Sequence, residues 1–245
     1  MTELGVIIPT LNDAATLPAT LDALARMAVE ANLATEVLVV DGGSTDDTAA
    51  LAAAAGSSHP LLHLRVLVLR TKKRANGFGS LVRYGLAYSS ARWCALASAD
   101  NSDPIDLLPR MVRELQSGQS LVIMSRFAET EEPQNVARRF RVYQRIYRAG
   151  IRFLLGKSVS DSTNGFRAFD RKLVLALGLS SNRFSICPEM TFKVLLSGGE
   201  IGYVPGTPTR APGDVAPKFR LPREVLGYAH VLVRAGLHRA GLSWF

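Results

Sequence analysis

The sequence predicts an α/β fold with a mostly parallel central sheet and helices on both faces. Three observations predict it. Short apolar runs alternate with segments of helical period. Two of the early runs stop abruptly in small and acidic residues, and a third runs into basic residues and glycine. A chain of 245 residues, 47% of them hydrophobic, is long enough to bury a large core.

The elements follow in order. Gly5-Val6-Ile7-Ile8-Pro9-Thr10 is the first strand, and Leu11-Asn12-Asp13 turns it into a helix. Thr16, Leu17, Leu21, Leu24 and Met27 recur there at helical spacing. Residues 37–40 are the second strand, which stops at Asp41-Gly42-Gly43-Ser44-Thr45-Asp46-Asp47-Thr48. The two glycines permit a tight turn, and Ser44 or Thr45 is placed to cap an alanine-rich helix running to about Ala55. Residues 66–69 are the third strand, followed by basic Arg70-Thr71-Lys72-Lys73-Arg74. Asn76-Gly77-Phe78-Gly79-Ser80 opens a helix to about Ser90. Trp93 to Ala97 is the next buried strand and runs into Ser98-Ala99-Asp100-Asn101-Ser102-Asp103-Pro104.

Strand ends of this kind gather at the carboxyl edge of a sheet, where open α/β folds bind ligands. Asp100 and Asp103 suit a divalent ion held against a diphosphate, because hard cations prefer carboxylate oxygens. The plainer reading of Asp103 is an N-cap with Pro104 at N1 of a helix over 105–115. Asp41 can accept hydrogen bonds from a ribose or base, while Arg74 and the backbone around Gly77 and Gly79 can face phosphates. Gly42-Gly43 also fits a plain turn, and Lys72-Lys73-Arg74 a solvated loop. Neither the Rossmann nor the P-loop glycine pattern is present.

The formal charge of +8 points to an anionic partner: phosphate groups, nucleic acid or an acidic membrane surface. Nucleic acid ranks lowest, because no recognised binding motif accompanies the charge. Cys94 and Cys187 lie far apart without metal-ligand spacing, which suggests a reducing compartment. No basic-plus-apolar leader opens the chain, and no apolar run reaches the roughly 18 residues of a membrane span. The expectation is a cytoplasmic chain, soluble or peripheral on the inner membrane face.

Residues 122–127 are a further strand ending in Ser125-Arg126-Phe127, and the polar segment 129–134 reads as a mobile loop. Arg138, Arg139, Arg141, Arg145, Arg148, Arg152 and Lys157 follow, with no acid between Val136 and Lys157. Val142, Ile146, Ala149, Ile151, Phe153, Leu154 and Leu155 are interleaved with them. This basic amphipathic helix suits an anionic membrane surface. It also suits packing on the domain with its arginines in water, or pairing with a second copy as a homo-oligomer. Asp161-Ser162-Thr163-Asn164-Gly165-Phe166-Arg167-Ala168-Phe169 is the second informative stretch. Glu189 stands near the start of a helix through Leu196, where an acid also suits the helix dipole. Residues 204–210 are a proline-rich edge segment leading to Gly213, Lys218 and Arg220, and a final amphipathic helix covers 222–237.

These residues carry a resemblance. Val-Ile-Ile-Pro-Thr-Leu-Asn (6–12), Val-Val-Asp-Gly-Gly-Ser-Thr-Asp (39–46), Asn-Gly-x-Gly (76–79) and the acidic strand end resemble family-2 glycosyltransferases. The resemblance implies a glycosyltransferase A-type fold and a nucleotide-diphosphate sugar. It implies that Pro9, Asn12, Asp41, Arg74, Asn76, Gly77, Ser98 and Asp100 surround that donor, with Mg²⁺ or Mn²⁺ as cofactor. Asp100 matches the last acid of the family's Asp-x-Asp metal motif, whereas Ser98 stands in place of the first. Asp103 or Ser102 would substitute as a metal ligand, or a basic residue would do the metal's work.

Ser125-Arg126, the basic helix, Asp161-x-Thr163-x-Gly165-Phe166, the Pro188-Glu189-Met190 helix and the Arg210…Gly213…Lys218-Phe219 loop narrow the resemblance. They are similar to dolichol-phosphate mannose synthases and bacterial polyprenyl-phosphate glycosyltransferases, over residues 4–235. The loop from Arg210 to Lys218 is longer than usual in that group. The resemblance implies one domain over 1–245, with a nucleotide-sugar half at 1–127 and an acceptor half at 128–245. It implies a polyprenyl phosphate held by Arg126, Arg139, Arg210 and Lys218. Asp161 and Glu189 would orient sugar hydroxyls or those arginines, completing a catalytic set with Asp100 and Arg126. The expected reaction is inverting transfer of one hexose to the lipid phosphate. The rivals are a soluble acceptor, such as a nucleoside or secondary metabolite, and a non-catalytic sugar-nucleotide-binding protein.

Overall fold

Among the described residues, seven strands form one sheet: β1 (Leu4–Thr10), β2 (Thr35–Asp41), β3 (Leu62–Val68), β4 (Trp93–Leu96), β5 (Leu121–Ser125), β6 (Arg167–Asp170) and β7 (Ile201–Pro205). Their spatial order is β3-β2-β1-β4-β6-β5-β7. β6 is antiparallel to both neighbours, and the other pairs are parallel. The structure is a computed structural model and describes residues 2–59, 62–69, 77–127, 138–209 and 221–245. The helices are α1 (Leu17–Glu30), α2 (Thr48–Ser58), α3 (Phe78–Tyr88), α4 (Leu108–Gln116), α5 (Arg138–Leu155), α6 (Arg171–Ala176), α7 (Ile186–Leu196) and α8 (Leu221–Arg239).

Side chains alternate across a strand with period two. Val6, Ile8, Val37 and Val39 therefore meet Leu17, Leu21 and Leu24 of α1 and Leu108 and Met111 of α4 on one face. Ile7, Leu38, Val40, Cys94 and Leu96 meet Leu81 and Val82 of α3 and Met190 and Val194 of α7 on the other. A parallel strand buried on both faces reads as an unbroken apolar run, which is how β1 and β2 appear in the sequence. A third cluster joins α5 and α8 to α7 through Tyr147, Ile151, Phe192, Tyr228, Val231 and Ala235. Among the described residues no helix is long and apolar enough to cross a membrane.

Two local expectations are corrected. α2 begins at Thr48 after Asp47, not after Ser44 or Thr45, because those two residues bond to the preceding turns instead. Asp103 does not cap a helix; a 3₁₀ turn, Ile105–Leu107, precedes α4, and the Asp103 carboxylate faces back to the Ser98 amide at 2.7 Å. The segment 129–134 lies outside the described residues.

Candidate functional site

The topology brings distant loops to one edge. β1 and β2 end together, Thr10 opposite Asp41, and the Ala97 amide beyond β4 donates to the Ile7 carbonyl at 3.1 Å. β5 points the same way as β4, because β6 is antiparallel to both. Arg126, one residue past β5, therefore falls on this edge, as does the 161–166 stretch that precedes β6.

The loops after β1 and β2 are laced to each other. Asn12 adopts a left-handed backbone (φ 55°), which Asn tolerates better than most residues. Its amide donates to Ser44 Oγ at 2.9 Å, and its side-chain oxygen accepts from the Thr45 amide at 2.8 Å. The Ala14 amide donates to Asp46 at 3.1 Å. Asp41 is buried, and its carboxylate accepts from the Gly43 amide at 3.2 Å, the Ser44 amide at 3.1 Å and the Ser44 hydroxyl. The acceptor expected to face a ribose or base is turned into its own loop, because the tight Gly42-Gly43 turn leaves amides that need a partner. Asn12, Gly43 and Thr45 are among the exposed residues of this loop pair, and Pro9 stands one residue before the end of β1.

The acidic loop after β4 is also self-bonded. Thr20 of α1 donates to the Ser98 carbonyl at 3.4 Å and accepts from the Asn101 amide at 3.0 Å. Asp100 Oδ1 accepts from the Ser102 amide at 3.1 Å and the Ser102 hydroxyl at 2.5 Å. Thr209, beyond β7, anchors on the same loop, donating to the Ser102 carbonyl at 2.8 Å and the Asn101 carbonyl at 2.7 Å. Burial pushes the Asp103 carboxyl up to about 6, against the pull of the Ser98 donors and with a smaller push from Asp100.

No group of three His, Cys, Asp or Glu side chains that could hold a metal occurs among the described residues. Asp100 keeps one carboxylate oxygen that Ser102 does not engage. A diphosphate-bridging Mg²⁺ takes one or two carboxylates and fills its shell with phosphate oxygens and water. The donor set fits an ion of that kind and does not fit an all-protein cage.

The basic pole is Arg126. Its Nε and Nη2 donate to the two oxygens of buried Asp161 at 2.7 and 3.0 Å, and Nη2 also reaches Thr163 Oγ1 at 3.1 Å. Such a forked pair fixes the plane of the guanidinium. Burial works against the Arg126 charge, but the Asp161 carboxylate outweighs it and holds the pKa above its ordinary value. Beneath the pair, Arg167 is fully buried and donates only to neutral acceptors among the described residues: the carbonyls of Ser162, Asn164 and Cys187, and Thr191 Oγ1.

The glycines at the start of α3 are packed against the loop at 181–183. The Gly79 amide donates to the Asn182 carbonyl at 3.0 Å, and the Ser80 amide reaches it at 3.3 Å. A Cβ on Gly77 would stand 2.2 Å from that oxygen, and one on Gly79 2.3 Å from the Ser181 oxygen. These positions are glycine because a loop packs on them. Glu189 builds that loop, accepting from the Ser180 amide and hydroxyl at 2.8 and 2.9 Å and from the Ser181 amide at 2.7 Å. Burial acts to raise its pKa, but these donors more than offset it and leave the carboxyl below its usual range. Lys193 is a further partner at 3.2 Å. Glu189 thus orients a loop here rather than an arginine of the edge.

The structure brings together Ser98, Asp100, Ser102, Asp103, Arg126 and Asp161 from the expected set. Arg74, Asn76, Arg210 and Lys218 lie outside the described residues, and Arg139 is described by its backbone in α5 alone. Sequence reasoning did not single out Thr163, Arg167 and Gln144 as site residues. The first two sit in a stretch whose composition marked it, whereas Gln144 carries no signal inside an arginine-rich helix.

A sheet of this order, with helices on both faces and its loops gathered at the carboxyl edge, defines a glycosyltransferase A-type α/β protein. The chain belongs to the family described as Glycosyl transferase family 2, whose model matches residues 5–178. It is 30% identical over 203 residues to glycosyltransferase AglJ of Haloferax volcanii, covering 82% of this chain and 61% of that one. It is 29% identical over 208 residues to polyprenol monophosphomannose synthase of Mycolicibacterium smegmatis, covering 82% and 76% respectively. The chain thus spans about three fifths of the first relative and three quarters of the second. Glucosyl-3-phosphoglycerate synthase from Mycobacterium tuberculosis, in complex with Mn²⁺, uridine diphosphate and phosphoglyceric acid, shares the fold with a TM-score of 0.70 at 22% identity, covering 99% of this chain and 80% of that one.

Proposed function

We propose that this chain transfers a sugar, with inversion, from a nucleotide-diphosphate sugar to a polyprenyl phosphate at an anionic membrane surface. The observation that carries the reading is the forked Arg126–Asp161 pair, which fixes a cation opposite the acidic loop at one sheet edge. A phosphate monoester is already an anion near neutral pH, so it attacks the anomeric carbon without a strong general base. What remains for the protein is positioning and stabilisation of the leaving diphosphate. Asp100, with Ser102 or Asp103, would hold a divalent ion, which when bound neutralises charge on the diphosphate. Arg126 would hold phosphate oxygens with the donors Asp161 leaves free, aided by Arg139, Arg210 and Lys218. Asp161 keeps Arg126 in plane.

The lipid acceptor is supported by α5 and α8. Gly150 of α5 sits against Leu232, and Gly236 of α8 against Leu154, so the two helices lie side by side. Residues 142, 146 and 153 of α5 and 226, 233 and 237 of α8 fall on the faces opposite the core contacts, and both faces therefore point away from the domain. They are apolar and exposed: Ile146 69%, Phe153 86% and Leu226 80%. Exposed Arg138, Arg145 and Arg152 flank them. Apolar residues with basic flanks suit the boundary of an anionic bilayer. Names of relatives such as polyprenol monophosphomannose synthase support the same acceptor. The rival is a small soluble acceptor, which the phosphoglyceric acid bound to the structural neighbour favours.

The test is a donor screen by mass spectrometry. Purified chain is incubated with UDP-, GDP- and TDP-sugars, Mg²⁺ or Mn²⁺, and a short polyprenyl phosphate. A glycosyl-phosphoprenol product supports the reading. Donor hydrolysis or transfer to soluble acceptors without lipid product overturns the lipid acceptor, and absence of donor binding overturns the enzyme reading.

A further inference from the structure

The hydroxyl of Thr163 is a fixed point for proton accounting. Asp161 Oδ1 lies 3.2 Å from Thr163 Oγ1, and an ionised carboxylate only accepts, so the one hydroxyl proton goes there. The two lone pairs of Thr163 Oγ1 are then filled by Arg126 Nη2 at 3.1 Å and by the side-chain amide of Gln144. Gln144 must present its NH₂ to Thr163, because Thr163 has no second proton to offer. The orientation of the Gln144 amide is thereby set by the network, which makes its carbonyl Oε1 the end that faces elsewhere. Among the described residues that oxygen is buried without a hydrogen-bond partner, in a residue only 1% exposed. A buried acceptor left unpaired is costly, and native structures keep few of them.

Resting on the reading of this edge as a nucleotide-sugar site, we infer that Gln144 is a sugar-contacting residue whose Oε1 accepts a hydrogen bond from a hydroxyl of the transferred sugar. The chemistry selects the partner. Diphosphate oxygens carry no proton and would repel Oε1. A phosphate monoester, with its second pKa near about 6, has none above neutral pH. A sugar presents hydroxyls that donate. Gln144 is also bonded to the residue that Arg126 and Asp161 share, so a hydroxyl bound there lies beside the cation that faces the phosphates. Sugar choice would then depend on α5, a helix otherwise given to the acceptor.

The test is calorimetric binding at pH 8 with the full chain and with Gln144→Met, which keeps the length of the side chain and removes the acceptor; Gln144→Ala is the second truncation. The probes are UDP and GDP, UDP-glucose and GDP-mannose, and the monodeoxy analogues of the better-bound sugar nucleotide. Wild type should bind that sugar nucleotide more tightly than its parent diphosphate. Gln144→Met should bind the parent diphosphate as wild type does and the sugar nucleotide about tenfold more weakly. One monodeoxy donor should show the same loss on wild type and no further loss on the variant, as expected for a shared contact. Equal weakening of diphosphate and sugar nucleotide, or losses that add for every monodeoxy donor, would overturn the role of Gln144 and leave the donor reading standing. A wild type that binds no nucleotide or nucleotide sugar removes the donor reading itself.

Discussion

Replacing Asp103 by Asn should raise the stability of the chain at pH 8 and leave it almost unchanged at pH 4. Burial raises this carboxyl from an ordinary 3.8 to about 6. Between those values the folded state binds more protons than the unfolded state, so stability falls as pH rises through the window. Below pH 4 the group is neutral in both states and costs nothing. Above pH 6 the full penalty of an ionised, partly buried carboxylate applies. A rise of about two units, at about 1.4 kcal/mol each, amounts to about 3 kcal/mol. Partial exposure of the residue allows solvent to screen it, so about 2 kcal/mol is the working figure. Asn keeps an oxygen for the Ser98 amide, whose 2.7 Å bond organises the loop, and so removes the charge while sparing the local fold. Urea unfolding of both proteins at half-unit steps from pH 4 to 8 reads the difference directly. The curves should meet near pH 4 and separate up to about pH 6.5. Parallel curves, or a variant less stable at pH 8, would refute the placement of the Asp103 carboxyl.

Three other outcomes are expected. Asp161→Asn should leave the half-buried Arg126 guanidinium without its counter-charge and cost about 2 to 3 kcal/mol in calorimetric unfolding, with a smaller cost when Arg126→Met accompanies it. Gly79→Ala should destabilise by about 1 to 3 kcal/mol, because its methyl would meet the Ser181 oxygen at 2.3 Å, whereas Gly165→Ala, 3.9 Å from Phe78, should be nearly neutral. Ile146→Glu combined with Phe153→Glu should abolish flotation with anionic vesicles while leaving the melting temperature unchanged, since both side chains face solvent; retained flotation would count against the α5 surface.

Much of this architecture is legible in the sequence because it is dictated by local pattern. β1, β2 and β4 are apolar runs that stop in residues unable to extend a strand, and that stop marks the edge where the site lies. The parts that are not legible depend on long-range packing. Arg126 and Asp161 are 35 residues apart and meet only because β6 runs antiparallel between β4 and β5. β6 has four residues, too few to display a period. Gly77 and Gly79 look the same in sequence whether a phosphate or a carbonyl oxygen approaches them, and here it is the oxygen of Asn182 or Ser181. Asp103-Pro104 has the local signature of a helix start, yet the carboxylate finds the Ser98 amide first. Gln144 is invisible for a different reason: its significance is an atom left unpaired, and that is a property of the assembled network alone.

Ser98 gives the proposed reaction its particular electrostatics. An acid at this position would add a second negative charge beside Asp100, binding a divalent ion more tightly and repelling an uncomplexed diphosphate. Serine removes both effects. Asp103 is largely ionised above its raised pKa of about 6, but its carboxylate is committed to the Ser98 amide, so it replaces an acid at position 98 only in part. Arg126 is fixed by contrast: guanidinium does not shed its proton, and both oxygens of Asp161 hold it in plane. Buried Arg167 adds a second permanent positive charge beneath it, bonded to the carbonyls of the same loop. A weakened negative pole thus stands opposite a strengthened positive one. In the proposed transfer, stabilisation of the leaving diphosphate would rest on protein cations to a greater degree than in a two-acid site. Charge development in the transition state would be met by groups already in place before the substrate arrives, which is the condition under which such stabilisation is most effective.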